Sequence, residues 1–337
     1  MSDERITIAH GHGGLASHRL ISDAFLSVYT SPELEQLDDA AVMRLPYERI
    51  AFSTDSFVVQ PIFFPGGDIG KLAVAGTVND VSVMGARPLV ISVGFILEEG
   101  LLISDLEKIV QSMATECRRA GVRIATGDTK VVPKGAADKI FINTTGIGIR
   151  RKDVTLSGSN AKPGQAVILT GPAGDHGAAI VCARNDLKVS GEVLSDCRSL
   201  TDLIDDILDA SGQSVSVMRD PTRGGVATTL NEISKASAVG IEIDEESVPI
   251  RDNTRAVSEI LGFDPLYLAN EGAILVFCDE EAVDIVLGVC SAHPSGEHAA
   301  RIGTVRNDVD GKVVLRTATG GRRIMDMLAG EMLPRIC

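Results

Sequence analysis

Short apolar runs and helical spacings alternate along this chain. In the first half, RIAFSTDSF (49–57), VISVGFIL (90–97), RIATGDTKVV (123–132) and IFINTTGIGI (140–149) are rich in β-branched residues, which predicts four strands. Between them, Leu106, Ile109, Val110, Met113 and Cys117 keep the i, i+3, i+4, i+7, i+11 spacing of one helical face, and Arg118 and Arg119 precede Gly121 as a stop signal. The stretch 67–86, GDIGKLAVAGTVNDVSVMGA, reads as a helix of small residues that permit close backbone packing. In the second half, QAVILTG (165–171) and GAILVFC (272–278) read as short buried strands. Leu200, Leu203, Ile204, Ile207 and Leu208 mark one helix there, and Val226, Leu230 and Ile233 another. Ile324, Met327 and Leu328 predict a short docked helix near the end, with Gly330 and Pro334 releasing the chain after it.

The segment RKDVTLSGSNAKPG (151–164) is polar, aperiodic and carries Ser, Gly and Pro, so it reads as a domain boundary. The expected division is 1–155, 156–325 and a mobile tail, 326–337. Helices and strands mix in both halves without the glycine signatures of regular βαβ units, which makes each half α+β. A length of 337 residues agrees with two domains.

Composition narrows the chemistry. Aromatics make up 4% with no Trp, so the core must rest on aliphatic residues. The 34 glycines fall in clusters, as where backbone approaches a ligand closely. A net charge of −14 repels phosphate backbones, so no nucleic-acid partner is expected. An acidic protein still binds a nucleotide when divalent metal neutralises its carboxylates. The first residues, MSDERITIAHGHGG, lack an apolar leader core, and no run nears the ~20 apolar residues of a membrane span. Six cysteines without a CxxC pair read as reduced thiols, five of them buried, in a cytoplasmic protein.

Five elements place an Asp beside small or polar residues at the end of an apolar run: LDDAAV (37–42), FSTDSFVV (52–59), GTVNDVSVMGA (76–86), ATGDTKVV (125–132) and MRDPTRGG (218–225). Any one of them reads equally as a cap or a turn. Five in one chain, each with room beside it, suit Mg²⁺ bridging protein to phosphate oxygens. GGDIGK (66–71) is not a P-loop, since Leu72 stands where Ser or Thr is required, and no GxGxxG joins a strand to a helix. GHGG (11–14) offers Gly13 and Gly14 as a backbone nest for phosphate.

Together, GHGG, DDAAV, STDSFVVQPIFFPGGDIGKLAVAGTVNDVSVMGARP, GDTKVV, GDHG (174–177) and DPTRGG resemble the family of aminoimidazole ribonucleotide synthases, selenophosphate synthetases and thiamine-monophosphate kinases. Within it the resemblance is to the HypE branch, which acts in hydrogenase maturation, and it runs nearly end to end through the final PRIC. The resemblance implies two α/β domains of the aminoimidazole ribonucleotide synthase type, the N-terminal ones pairing across a homodimer into a shared β-barrel. It implies that Cys337 carries a one-carbon unit, loaded as a carbamoyl group by a HypF-type carbamoyltransferase. ATP-dependent dehydration of that group to a thiocyanate would follow, with cyanide passed to a HypC–HypD-type iron-carrying complex.

By the same resemblance, Asp39, Asp55, Asp80, Asp128 and Asp220 hold Mg²⁺, and Asp38, Thr54, Asp55, Asn79, Asp80, Asp128, Gly13 and Gly14 bind ATP. Asp38 and Asp39 are interchangeable at this level, since adjacent carboxylates cannot be ranked from sequence. Dehydration needs a base and a cation near the reacting oxygen. Glu271, in NEGAILVF, is the candidate base, and Lys134, in VVPKGAAD, its electrostatic partner. Arg335 is expected to offset the charge of the terminal carboxylate beside Cys337. Residues 331–337 span on the order of 20 Å when extended, enough for inward and outward poses. A small-molecule kinase or synthetase of the same family, and a non-catalytic scaffold, are the competing readings.

Overall fold

The computed structural model describes residues 5–7, 10, 19–29, 49–187, 189–308, 311–327, 333 and 335–337. Strand β1 (Ile50–Phe57) opens the first sheet, and the short β2 (Phe63–Phe64) and β3 (Gly67–Asp68) form a hairpin before helix α1 (Ile69–Val83). Then follow β4 (Ala86–Glu98), helix α2 (Ile103–Arg119), β5 (Arg123–Val132) and β6 (Ile140–Arg150). The sheet order is β1-β6-β4-β5, antiparallel except for the parallel β4–β5 pair. All four strands predicted from the apolar runs are present.

Helix α1 is capped by Asp68, whose carboxylate accepts from Gly70 N at 2.7 Å and Lys71 N at 3.1 Å. It is buried on nearly every side, so its apolar residues run all round rather than in a stripe. One face lies on β6 because β6 offers glycine there. A methyl at Gly146 would stand 2.8 Å from Thr77 Cγ2, and one at Gly148 would overlap Val81. Helix α2 packs beside α1, where Gly70 lies against Ile109 and Met113, with Leu106, Ile109, Val110, Met113 and Cys117 all buried, the face that the spacing predicts.

The second sheet is larger. Its elements are β7 (Ala166–Leu169), α3 (Asp175–Asn185), α4 (Thr201–Ser211), β8 (Val215–Arg219), α5 (Gly225–Ser237), β9 (Gly240–Asp244), α6 (Asp252–Leu261), β10 (Leu275–Cys278), α7 (Val283–Ala292), β11 (Ala300–Arg306), β12 (Val313–Arg316) and β13 (Arg322–Ile324). The order is β13-β12-β9-β11-β7-β10-β8, with β12–β9 the parallel pair. The central strands β7 and β10 are buried at every position, since both faces are covered. Ala166, Ile168, Val276 and Cys278 face the core under α4 and α7, while Val167, Leu169, Leu275 and Phe277 face α5. Between the sheets, residues 151–164 have no regular structure but bury Val154 and Leu156, with Val154 against Gly85.

The chain end corrects one expectation. Residues 322–324 form an edge strand on β12, not a helix, and Met325 N continues the ladder to Val313 O at 2.8 Å. Met325 alone is buried there, whereas Ile324 and Met327 are exposed, so no apolar helical face forms. Leu328 lies outside the described residues. Free ladder groups on β12 outweigh a helix too short to stabilise itself.

The contact of α1 with β6 yields a test. Gly148→Ala should destabilise the protein by about 1–3 kcal/mol through overpacking against Val81 and the Arg87 carbonyl. Urea unfolding that leaves the midpoint unchanged would show that the helix can shift without cost.

Candidate active site

An irregular segment between α3 and α4 organises the site. Asp196 is 6% exposed there, and its carboxylate accepts three donors from one short turn: Asn270 Nδ2 at 2.7 Å, Glu271 N at 3.0 Å and Gly272 N at 3.1 Å. Arg198 N donates to the Glu271 carbonyl at 3.2 Å. Any side chain at position 272 would overlap the Asp196 carbonyl, so the turn requires glycine. Asn270 extends the lock: its Oδ1 accepts from Gly174 N at 2.8 Å and its Nδ2 donates to Pro172 O at 2.8 Å. Glu271 is thereby fixed in place and buried.

Glu271 lines a cavity of about 260 Å³ together with Asp55, Asp80, Asp220, Arg223 and Cys337. Strand alternation aims Asp55. Ser53 reaches Asp80 Oδ2 at 2.7 Å, so the odd positions of β1 face α1, where Asp80 occupies the last turn. Asp220 follows the end of β8, and Arg223 lies on the turn into α5. Two further cavities share this lining. One, of about 390 Å³, continues past Asp80 and Asp220 to Ile50 and Phe52; the other, of about 410 Å³, continues past Arg223 and Cys337 to Tyr267 and Leu333.

The carboxylates crowd one another. Burial, then the charge of Asp80, lifts Asp55 to about 6. Asp220 is lifted to about 7 by burial and again by Asp80. Glu271 is pushed well above the ordinary carboxylate range by burial, then by Asp220. The Cys337 thiol is pushed up to about 12 by burial first and Glu271 second, with Arg223 acting in the opposite sense. Among the described residues no three His, Cys, Asp or Glu side chains form a ready-made metal cage. Mutually repelling carboxylates without a closed cage fit Mg²⁺, which takes one or two carboxylates and completes its shell with phosphate and water.

The tail is docked inward. Val58 N donates to Cys337 O at 3.0 Å and Gln60 N to Arg335 O at 3.3 Å, so the tail lies along the segment that follows β1. Arg335, at φ 54°, pairs with Asp138 at 2.6 Å and donates to Val58 O at 3.0 Å. The Arg335 guanidinium therefore holds Asp138 rather than serving the chain terminus, because it turns back along the tail's own docking strand. Arg184 donates to both Arg335 O and Gln60 O.

Of the residues singled out from sequence, Asp55, Asp80, Asp220, Glu271 and Cys337 meet at one cavity. Four others do not line it. Thr54 points to the opposite face of the sheet, where its hydroxyl donates to Thr144 O at 3.1 Å. Asp128 lies on that same outer face, exposed and paired with Lys130 at 2.9 Å. The Asn79 amide is engaged on backbone, giving to Arg198 O and accepting from Leu200 N. Lys134 is exposed on the β5–β6 loop, which turns toward Glu98: Glu98 accepts from Gly135 N and Lys139 N. Among the described residues, the cations lining the cavity are Arg219 and Arg223 instead. Gly13, Gly14, Asp38 and Asp39 lie outside the described residues. Arg223 sits within the DPTRGG motif, whereas Asp196, in SDC, has no sequence signal.

The family model for the N-terminal domain of AIR synthase related proteins matches residues 37–150, and that for the C-terminal domain matches 162–316. The chain is 47% identical over 340 residues to the carbamoyl dehydratase HypE of Rhodobacter capsulatus, covering 100% of this chain and 99% of that one. A crystal structure of the hydrogenase maturation protein HypE in complex with ATP superposes with a TM-score of 0.94 at 50% identity, covering 98% of this chain and 99% of that one. The HypE chain of a HypE–HypF complex superposes at 0.81 and 45% identity, covering 92% and 99%.

Carboxylate crowding predicts a pH-dependent stability. The folded-state value of Asp55, about 6, lies above an unfolded value near ~3.9, so its contribution is present in acid and lost as pH rises through 6. Asp55→Asn in metal-free protein should therefore raise the Tm at pH 8 by about 3 °C and leave it unchanged at pH 4. Equal Tm values at pH 8 in a calorimetric comparison would show that solvent screens the cluster.

Proposed function

We propose a function that starts from family membership: the chain belongs to the HypE family of carbamoyl dehydratases, within the AIR synthase related proteins. It is an ATP-dependent carbamoyl dehydratase, and its substrate is a carbamoyl group carried on its own Cys337. The observation that carries this reading is the placement of Cys337 in one cavity with Glu271, Asp55, Asp80 and Asp220. A diffusible substrate would have to compete with the chain's own tail for that space, which argues against a small-molecule kinase. The dehydration converts –S–CO–NH2 and ATP into –S–C≡N, ADP and phosphate. The carbonyl oxygen leaves with the phosphate and the two nitrogen protons go to bases.

Glu271 is the proton acceptor, since a buried carboxylate with a raised affinity for protons is a strong base once ionised. Arg223 lines the same cavity as Asp55 and Cys337 and would supply the cation for the reacting oxygen. Lys134 lies on the loop whose Asp138 grips Arg335, so its contribution would come through the tail. Asp55, Asp80 and Asp220 would hold Mg²⁺, which when bound neutralises phosphate charge. The neighbouring cavity of about 390 Å³ leaves room for a nucleotide beside the same carboxylates.

Partners follow from the chemistry and the relatives. A HypF-type carbamoyltransferase loads Cys337, and a HypC–HypD-type iron complex receives the cyanide. Ile50, Phe52 and Ile96 are exposed on the outer face of the first sheet, which supports pairing of two such sheets in a homodimer. Asp128 lies on that face and would join a site only through such a pairing. No described helix is long and apolar enough to cross a membrane, and five buried free thiols suit a reducing cytoplasm.

Intact-protein mass spectrometry with carbamoyl phosphate, ATP, Mg²⁺ and a HypF-type transferase tests the reading. Wild-type protein should gain the carbamoyl mass and then lose water. Cys337→Ala should gain nothing, and Glu271→Gln should load normally yet dehydrate about 10²- to 10⁴-fold more slowly. Loading of the Ala variant would remove the terminal carrier. For the dimer, Phe52→Asp should yield monomers by light scattering at micromolar concentration, and an unchanged mass would reject this face.

A further inference from the structure

The tail's deepest residue is held by a side chain with no part in the chemistry above. Ile336 is 6% exposed and packs into the first domain's core. Its carbonyl, one residue before Cys337, lies 2.8 Å from His176 Nε2. His176 is fully buried in the first turn of α3, its ring edge-on to Phe64 at 5.4 Å between centroids. Its other nitrogen lies 2.8 Å from Ser195 Oγ, which in turn accepts from Cys197 N at 3.0 Å.

Hydrogen-bond directions in this chain are determined. A carbonyl only accepts, so Nε2 carries the proton and donates to Ile336 O. In the neutral ring Nδ1 then accepts, and the Ser195 hydroxyl, already accepting from Cys197 N, donates to it. Burial lowers the His176 pKa toward this neutral form, with Arg184 acting in the same sense against the Ile336 hydrogen bond and Asp196. We infer that His176 is a positioning residue for the tail: its Nε2–H, oriented by Ser195, latches the Ile336 carbonyl and keeps Cys337 beside Glu271. The inference rests on Cys337 being the carrier, as read above.

The latch is tied to the base. Ser195 is next to Asp196, which holds the Glu271 turn, and Gly174, two residues before His176, donates to Asn270 in that turn. Base and tail are thus registered against one segment. When the tail swings out to a partner, a buried N–H and a buried carbonyl lose each other, which sets a threshold for release.

The test uses the full chain without ATP or partners and follows alkylation of Cys337 by iodoacetamide, resolved on the C-terminal peptide. A docked thiol near pKa 12 reacts slowly, so the rate reports tail release. His176→Phe keeps the ring but removes the donor, and should raise the Cys337 rate about tenfold, the effect of one buried hydrogen bond. His176→Gln restores an N–H near Nε2 and should return the rate toward wild type. Ser195→Ala, which frees the ring, should lie between. A folded Phe variant with an unchanged rate overturns the latch, as does a Gln variant that reacts as fast as Phe. Should the Phe variant fail to fold, Ser195→Ala decides alone: a raised rate supports the latch and an unchanged rate rejects it. Alkylation needs no carbamoyl chemistry. Loss of the dehydratase reading would appear only as absence of the nitrile mass on wild-type Cys337.

Discussion

Everything near the cavity is referenced to the Asp196 carboxylate. Three donors from Asn270, Glu271 and Gly272 converge on it, the kind of charge-assisted set that holds a turn rigid. The segment that carries Asp196 is itself pinned to the first domain. Asn79 on α1 holds Arg198 O and Leu200 N, Glu116 on α2 accepts from Ser199 N, and Ser195 N donates to Pro65 O. A stretch with no regular structure therefore fixes one domain's carboxylates against the other's base. Such a segment stays ordered only if its buried polar groups all find partners, and these find them in both halves of the protein.

The site also stores electrostatic cost. Asp55, Asp80, Asp220 and Glu271 are brought together by the two domains' packing, and burial denies them the water that would screen them. Apolar packing elsewhere must outweigh this, and the aliphatic core clusters on both faces of the second sheet do so. What is lost in stability is recovered in function, because crowded carboxylates favour a divalent cation and a desolvated glutamate is a strong base.

How much of this the sequence disclosed varies by element, for physical reasons. Helix α2 was legible because its amphipathic face keeps one spacing for three turns. The strands β7 and β10 were legible as short apolar runs, though periodicity could not show that both faces are covered. The helix expected near Ile324 failed because so short an apolar spacing cannot stabilise a helix by itself, and the ladder of β12 decided. Acidic motifs pointed to Asp55, Asp80 and Asp220, which line one cavity, yet motif membership could not tell which side of a strand a residue faces. Thr54 and Asp55 are adjacent, and alternation sends them to opposite faces. Asp196 was invisible, since its role comes from backbone donors some 75 residues away.

The thiol's environment divides the reaction between two poses. Inside the cavity burial, then Glu271, pushes the Cys337 thiol up to about 12, which disfavours the thiolate that would attack a carbamoyl donor. Loading would therefore fall to an outward pose of the tail, where water restores an ordinary thiol. Once carbamoylated, the sulfur has no proton to lose and no charge to desolvate, so the loaded tail returns to the cavity more easily than a thiolate would. The same carboxylates would then act on the nitrogen protons instead. The same burial that makes the pocket hostile to the nucleophile makes it suited to the dehydration that follows.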